Sequence, residues 1–244
     1  MSKTAGIIII GNEVLSGKTQ DTNSHFLCQE LRSLGVEVRR ILVIPDEIEL
    51  IGKEAVAFSR KFDLVFTTGG VGPTHDDVTI AGIARGFGVE VIRHPDLERR
   101  LRDRHGANIN EARLRMAEVP AGAELIGVES LYAPVVKLAN IYILPGIPKI
   151  MRERFQVIRE SFRDSPFYLK VIYMKEGEGF IASYLNRLLE HFPDLLLGSY
   201  PVLDNLEYKV KVTLESKDRV YLKRAFEELI GSLPPEAIHK VEEN

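Results

Sequence analysis

One cysteine, Cys28, is all the sequence contains. An intrachain disulfide is therefore impossible, and a cysteine-rich zinc site is excluded. A basic excess is lacking too. The formal net charge is −3, which argues against nucleic acid as a partner, since proteins that bind its phosphates carry surplus lysine and arginine. No apolar run approaches the ~20 residues of a membrane helix. No small-residue cleavage site follows the N-terminal Ser2-Lys3-Thr4. These absences point to a cytoplasmic protein without a membrane or nucleic-acid partner. Low-complexity segments are also absent. What is present is an ordinary globular composition, 45% hydrophobic and 27% charged over 244 residues, enough for one large domain or two small ones.

Hydrophobic patterning divides the chain in two. Ala5 to Ile10 is a continuous, mostly β-branched run, the pattern of a parallel strand buried on both faces. Gly11 ends it. Asp21-Thr22-Asn23 can cap a helix reaching Leu34, with Gly35 at its C-terminal turn. Strands follow at Val36–Ile44 and Asp63–Thr68, separated by a helix over Glu47–Arg60. Another helix begins near Asp77 and stops before Gly88. This alternation implies a mostly parallel sheet with right-handed crossovers. His94–Met116 reads as helical. Pro134–Leu138 and Ile141–Leu144 form a strand pair turning at Ala139-Asn140, and Pro148–Arg159 is a helix. The rhythm changes at Ser165-Pro166. Beyond it come strand Tyr168–Lys175, helix Gly179–Phe192, strands Leu195–Tyr200 and Leu206–Glu215, helix Asp218–Leu229 and strand Ile238–Val241. That β-α-β-β-α-β order is the ferredoxin-like split unit. The expected domains are residues 1–165 and 166–244.

Three loops follow predicted strands: Gly11-Asn12-Glu13, Pro45-Asp46-Glu47 and the long segment Thr67–Thr79. In an open parallel sheet such loops converge on one edge, where ligands bind. Gly69, Gly70 and Gly72 leave the backbone bare, so its N–H groups can approach an anion. Thr68, Thr74 and Thr79 bring hydroxyls. The loop lacks the Lys-Ser/Thr ending of a Walker loop. Asp76 and Asp77 lie within it, and Asp46 and Glu13 are expected nearby. Carboxylates beside a phosphate repel it unless a hard cation such as Mg²⁺ binds both, where it would also activate water. The bland alternatives are a tight turn for the glycines, a helix cap for Asp77 and solvated loop acids for Glu13 and Asp46. Their joint position at strand ends favours a site. His75 reads as a lone loop histidine, Cys28 as core. Arg99, Arg100, Arg102 and Arg104 read as a solvated face, with contact to ligand phosphates as the alternative.

Thr68-Gly-Gly-Val-Gly-Pro-Thr-His-Asp-Asp-Val-Thr79 resembles the signature of molybdopterin-binding domains of the MogA/MoaB/CinA superfamily. The run Ile8-Ile-Ile-Gly-Asn-Glu-Val-Leu-Ser-Gly-Lys-Thr-Gln-Asp-Thr-Asn23 is similar to two of its branches, the N-terminal domain of CinA and the molybdopterin-binding-like domain of eukaryotic FAD synthase. Leu144-Pro-Gly-Ile-Pro148 fits both. The resemblance implies an α/β/α sandwich with a mostly parallel sheet, followed here by the small ferredoxin-like α+β domain. It implies a nucleotide or pterin ligand and a dimer or trimer. Metal-dependent cleavage of ADP-ribose is associated with the CinA branch, and hydrolysis of FAD to FMN and AMP with the other. In members that adenylylate molybdopterin, two acidic positions serve the site, and they match Asp46 and Asp77. Thr74-His75-Asp76 replaces the more basic stretch of those members, which weighs against that activity here. Neither a nicotinamide-mononucleotide deamidase domain nor an FAD-forming adenylyl-transferring domain is expected.

The expected function is metal-dependent hydrolysis of the pyrophosphate bond of an adenine dinucleotide of ADP-ribose or FAD type. The alternatives are a non-catalytic nucleotide- or pterin-binding module and molybdopterin adenylylation. The catalytic candidates are Asp46, Asp77 and Asp76. Substrate is assigned to Gly11, Asn12, Glu13, Thr68, Gly69, Gly70, Gly72, Thr74, Thr79, Pro145 and Gly146. A divalent ion (Mg²⁺, Mn²⁺ or Co²⁺), with K⁺ as a further candidate, is assigned to Asp46, Asp77 and Glu13.

Overall fold

Strand β1 (Thr4–Ile10) carries apolar side chains to both faces of its sheet, and all of Ile7–Ile10 are 3% exposed or less. In the computed structural model, which describes residues 2–243, the chain divides into two compact units, Met1–Asp164 and Ser165–Asn244. The first continues through α1 (Asn12–Leu15), α2 (Asn23–Ser33), β2 (Glu37–Ile44), α3 (Ile48–Lys61), β3 (Leu64–Thr68), α4 (Thr79–Phe87), β4 (Val91–Arg93), α5 (Pro95–His105) and α6 (Glu111–Arg115). It ends with β5 (Glu118–Pro120), β6 (Glu124–Ile126), β7 (Val135–Leu138), β8 (Ile141–Leu144) and α7 (Pro148–Ile158). Six strands form one sheet in the order β2-β1-β3-β8-β7-β6. The first four run parallel; β7 pairs antiparallel with β8, and β6 with β7.

Three layers result. Ile7 and Ile9 of β1 pack with Leu27 and Leu31 of α2 and with Met151 and Phe155 of α7. Ile8 and Ile10 face the other way, onto Ile51, Ala55 and Phe58 of α3 and Ile83 of α4. The period-2 alternation of a strand thus feeds two cores from one apolar run. On the second face α3 and α4 approach through glycine. A Cβ on Gly86 would lie 2.3 Å from Gly52 O, and one on Gly52 would lie 2.6 Å from Gly82 O. These contacts are backbone to backbone, so a side chain there cannot be absorbed by a rotamer change.

The second unit is β9 (Tyr168–Met174), α8 (Glu178–His191), β10 (Leu196–Pro201), β11 (Val210–Ser216), α9 (Arg219–Ser232) and β12 (Ile238–Glu243). Its sheet is antiparallel throughout, in the order β10-β11-β9-β12. Val210, Val212 and Leu214 point to a core shared with Ile181, Leu185 and Leu188 of α8 and Leu222, Phe226 and Leu229 of α9. This is the split β-α-β unit that the element order implied.

Several elements differ from the sequence reading. Helix α4 starts at Thr79 with Val78 at its cap, two residues past Asp77. The charged stretch 94–116 is two helices, broken where Gly106 takes φ +50° and a short 3₁₀ turn follows. Strand β11 begins at Val210 rather than at Leu206, whose side chain is fully exposed. The β4–β5 pair was not anticipated, because three-residue strands hold too little pattern to register. Among the described residues no helix is long and apolar enough to cross a membrane.

Gly86→Ala tests the helix contact. Alanine is the better helix former by about 0.8–1.0 kcal/mol, yet overpacking costs about 1–3 kcal/mol. The clash should win, and urea unfolding should show a net loss of stability. A gain would mean that α3 and α4 stand further apart than described.

Candidate functional site

Parallel register sets the ends of β1, β2, β3 and β8 level. Ile10 pairs with Ile44, Ile9 with Thr68, and Thr68 with Leu144. The loops leaving these ends, at Gly11, Pro45, Gly69 and Pro145, open on one edge of the sheet. Backbone bonds tie them to neighbouring strands. Gly11 N–H donates to Ile44 O at 3.1 Å and Gly69 N–H to Leu144 O at 3.3 Å.

Asp46 joins three of these loops. Its Oδ2 accepts from the Asn12 N–H at 2.8 Å, and its Oδ1 lies 3.4 Å from where a Cβ on Gly70 would stand. Burial pushes its carboxyl up from the ordinary value. The Asn12 N–H pulls the other way, and the charges of Glu13, Asp76 and Asp77 push it further up. Glu13, 33 positions before Asp46, and Asp77, 31 after it, thus both act electrostatically on the Asp46 carboxyl. Among the described residues no lysine or arginine pairs with any of the four; the ion pair at this edge is the exposed His75 with Asp76, at 4.0 Å.

The Gly70–Asp77 loop is held by Asp77 itself. Thr74 donates both its N–H, at 2.8 Å, and its hydroxyl to Asp77 Oδ2, and Asp77 N–H returns to Thr74 O at 3.3 Å. Asp77 thus closes a turn where the sequence suggested a helix cap. Gly70 takes φ +61°, and Gly72 is crossed closely, since a Cβ there would come within 2.6 Å of Asp77 Oδ2. Both glycines stay partly exposed.

Other predicted contacts are used up inside the protein. Gly69 is buried at φ +106°, and a Cβ there would sit 1.9 Å from Ile10 O. Glycine is required at this position by the approach of β1 rather than by a ligand. The Thr79 hydroxyl donates to Gly69 O at 2.8 Å, and the Thr68 hydroxyl accepts from Asn23 Nδ2 at 3.2 Å. Gly11 and Pro145 are buried. Gly146 is exposed, but its carbonyl is held by Asn23 Nδ2 at 2.7 Å. The groups left facing the edge are Asn12, Glu13, Asp46, Gly70, Gly72, Thr74, Asp76 and Asp77.

Two features escaped the sequence reading. Asn23 is 6% exposed and staples the ends of β3 and β8 through Thr68 and Gly146. Within the expected capping run Asp21-Thr22-Asn23, it is Asp21 whose Oδ1 accepts from the N–H groups of Asn23 and Ser24. The second feature is a cavity of about 640 Å³ that begins at Gly70, Gly72 and Asp77 and is lined further in by Arg100, Arg104 and Arg154. Of the arginine cluster read as a solvated face, Arg99 and Arg102 do pair on the surface with Asp96 and Glu98, whereas the partly buried Arg100 and the exposed Arg104 border the cavity. Helical spacing carries the signal: positions 100 and 104 share a face with Leu97 and Leu101.

Among the described residues no three His, Cys, Asp or Glu side chains stand close enough to cage a metal ion. Mg²⁺ is commonly held by one or two carboxylates, with water and substrate phosphates completing its shell. Asp46 and Asp77 are the carboxylates at this edge that would hold such an ion.

Residues 6–163 match the family model of a probable molybdopterin binding domain, and residues 166–242 match that of the FAD synthase middle domain. A probable FAD synthase of Caenorhabditis elegans is 34% identical over 244 aligned residues, covering 88% of this chain and 47% of that protein. The chain thus spans about half the length of that relative. A protein of Archaeoglobus fulgidus is 33% identical over 92% of this chain and 97% of its own length. Among solved structures, that of the protein CinA with unknown function from Thermoplasma acidophilum is 31% identical. It covers 66% of this chain and 100% of its own, with a TM-score of 0.61.

The raised Asp46 carboxyl has a signed consequence. A carboxyl held above its unfolded value of about 3.9 contributes its stability below that pH, and the contribution is lost as pH rises through the folded value. Asp46→Asn keeps an oxygen for the Asn12 N–H and removes the charge. Without divalent ions it should melt a few degrees higher than the unaltered chain at pH 7, with a smaller difference at pH 4. A difference independent of pH would show that charge crowding is not the cause.

Proposed function

This chain belongs to the probable molybdopterin-binding domain family, and from that premise we propose that it hydrolyses the pyrophosphate bond of an adenine dinucleotide, ADP-ribose or FAD in type, releasing AMP. One observation supports the reading. The charges of Glu13, Asp76 and Asp77 all act on the Asp46 carboxyl at the edge where the parallel strands end, beside partly exposed glycine backbone able to approach a diphosphate. The names of the FAD synthase relatives support an adenine dinucleotide as the substrate class.

In this reading Gly70 and Gly72 cradle the diphosphate through their N–H groups. Asn12 and Thr74 orient it from either side. Asp46 and Asp77 hold a divalent cation, with Glu13 close by. Such an ion supplies charge neutralisation and a more acidic bound water. A water oxygen forms a bond to the phosphorus of the AMP half while the bridging P–O bond breaks. The proton released by the water passes to a carboxylate that does not hold the cation, the part assigned to Asp76. The bridging oxygen leaves on the other phosphate.

A second reading has its own support. Asp77 is occupied in bracing Thr74, and the edge has no ready-made metal cage. Both would suit a module that retains a nucleotide or pterin without cleaving it.

The deciding experiment incubates the chain with ADP-ribose, FAD and NAD in Mg²⁺, Mn²⁺ or Co²⁺, with and without K⁺, and identifies products by mass. AMP release is expected. Asp77→Asn keeps the oxygen that Thr74 uses and should slow release at least about 100-fold with an unchanged melting profile. Ligand-induced stabilisation with no product under any ion would favour the binding module, and full turnover by Asp77→Asn would remove the assigned mechanism.

A further inference from the structure

The two larger sheets end in four outer strands, β2 and β6 in the first unit and β10 and β12 in the second. An outer strand offers unpaired N–H and C=O groups to any other strand, and charged side chains are a common guard against that. Three of the four are guarded in this way. Strand β2 carries Glu37, Arg39 and Arg40, β6 carries Glu124, and β12 carries Lys240 and Glu242. Strand β10 is the exception. From Leu195 to Leu203 the chain holds no charged residue, and Leu196, Tyr200 and Leu203 are 40%, 54% and 92% exposed.

The ladder shows which groups of β10 remain to be paired. Val202 N–H donates inward to Lys209 O at 2.8 Å, and β10 follows β11 in unbroken register from Leu196 to Pro201. Backbone groups alternate sides along an antiparallel strand, so Leu196, Gly198 and Tyr200 turn theirs to β11. Those of Leu197 and Ser199 turn outward, and among the described residues they have no hydrogen-bond partner. The Ser199 hydroxyl is engaged separately, donating to Glu178 at 2.6 Å. Pro201 also turns outward, where its missing N–H removes no bond within the sheet. Side chains alternate too. Leu197, Ser199 and Pro201 stand opposite Leu214, Val212 and Val210, on the face of α8 and α9, whereas Leu196, Gly198 and Tyr200 stand on the other face.

We propose that the second unit is a self-pairing module, in which β10 of two chains join antiparallel about a two-fold axis at Gly198 to make one eight-stranded sheet. A two-fold contact must be self-complementary, and this register is. Leu197 and Ser199 of each strand exchange both bonds with Ser199 and Leu197 of the other, and Pro201 is asked for no donor. Leu196 comes opposite the partner's Tyr200, so an exposed aliphatic meets an exposed aromatic on one face. No like charges meet, because the segment holds none. An axis at Ser199 would set Leu197 O against the partner's Pro201, which has no N–H to give. An axis between two residues would set the helix face of one strand against the opposite face of the other. The assembly forms whether or not the first unit cleaves a dinucleotide.

Sedimentation equilibrium of the full chain should give an assembly of an even number of chains. Ser199→Pro removes an outward N–H and spares every bond to β11. By symmetry two bonds are lost per pair, so the dissociation constant should rise at least about tenfold. Leu196→Lys sets a charge at an exposed position of the edge and should act in the same direction; it carries the test should Ser199→Pro lose its fold. Register is read by cysteine trapping in a Cys28→Ser background. Leu196→Cys together with Tyr200→Cys should oxidise to a covalent dimer, since cross-strand neighbours of a non-hydrogen-bonded pair lie within disulfide reach. Either cysteine alone should not, because like positions then stand four residues apart along the strands. A single chain at every concentration would overturn the pairing. So would assembly unchanged by both Ser199→Pro and Leu196→Lys, or no more covalent dimer from the double cysteine variant than from the single ones.

Discussion

The bond from the Asn12 N–H to Asp46 Oδ2 stands where the loops leaving three parallel strands meet. It exists because β1 and β2 end level, and it holds a carboxylate among others that repel it. Left in solvent, Glu13, Asp46, Asp76 and Asp77 would separate. Here strand pairing sets their backbones, and two apolar cores, one on each face of β1, maintain that pairing. The charge crowding is therefore a local cost borne by burial elsewhere, a common arrangement at functional sites.

Close packing at the same edge narrows what a ligand can use. Gly69, Thr68 and Thr79 have the residue types of a phosphate cradle, but their backbone or hydroxyls are engaged with Leu144, Asn23 and one another. The exposed part of the cradle is shorter, Gly70 to Thr74, and it stands between the sheet-edge acids and a cavity whose lining mixes Arg100, Arg104, Arg115 and Arg154 with Asp77, Glu118 and Glu153.

The layers were legible because their causes are local. An unbroken apolar run such as Ile7–Ile10 has no solvated face, so it is interior to a sheet wherever it goes. The turn at Ala139-Asn140 and the helix stop at Gly35 follow from backbone chemistry within a few residues, and both appear with positive φ at Ala139 and Gly35. Asp77 was less legible. An acid before a helical stretch suggests a cap, and only the position of Thr74, three residues back, makes it a turn brace instead. The arginines were harder still. Arg99, Arg100, Arg102 and Arg104 form one charged cluster in sequence, and the helix divides them by direction, two to the surface and two to the cavity.

By itself the amino-acid order determined the strands, the helices, the change of rhythm near Ser165 and the identity of the acids that would be available, since these depend on neighbours within one or two turns. Tertiary structure decided how close those acids lie and which glycines and threonines remain free to meet a ligand. Those are distances between segments tens of residues apart. They are set by strand register and side-chain volume together, and no local stretch of sequence encodes them.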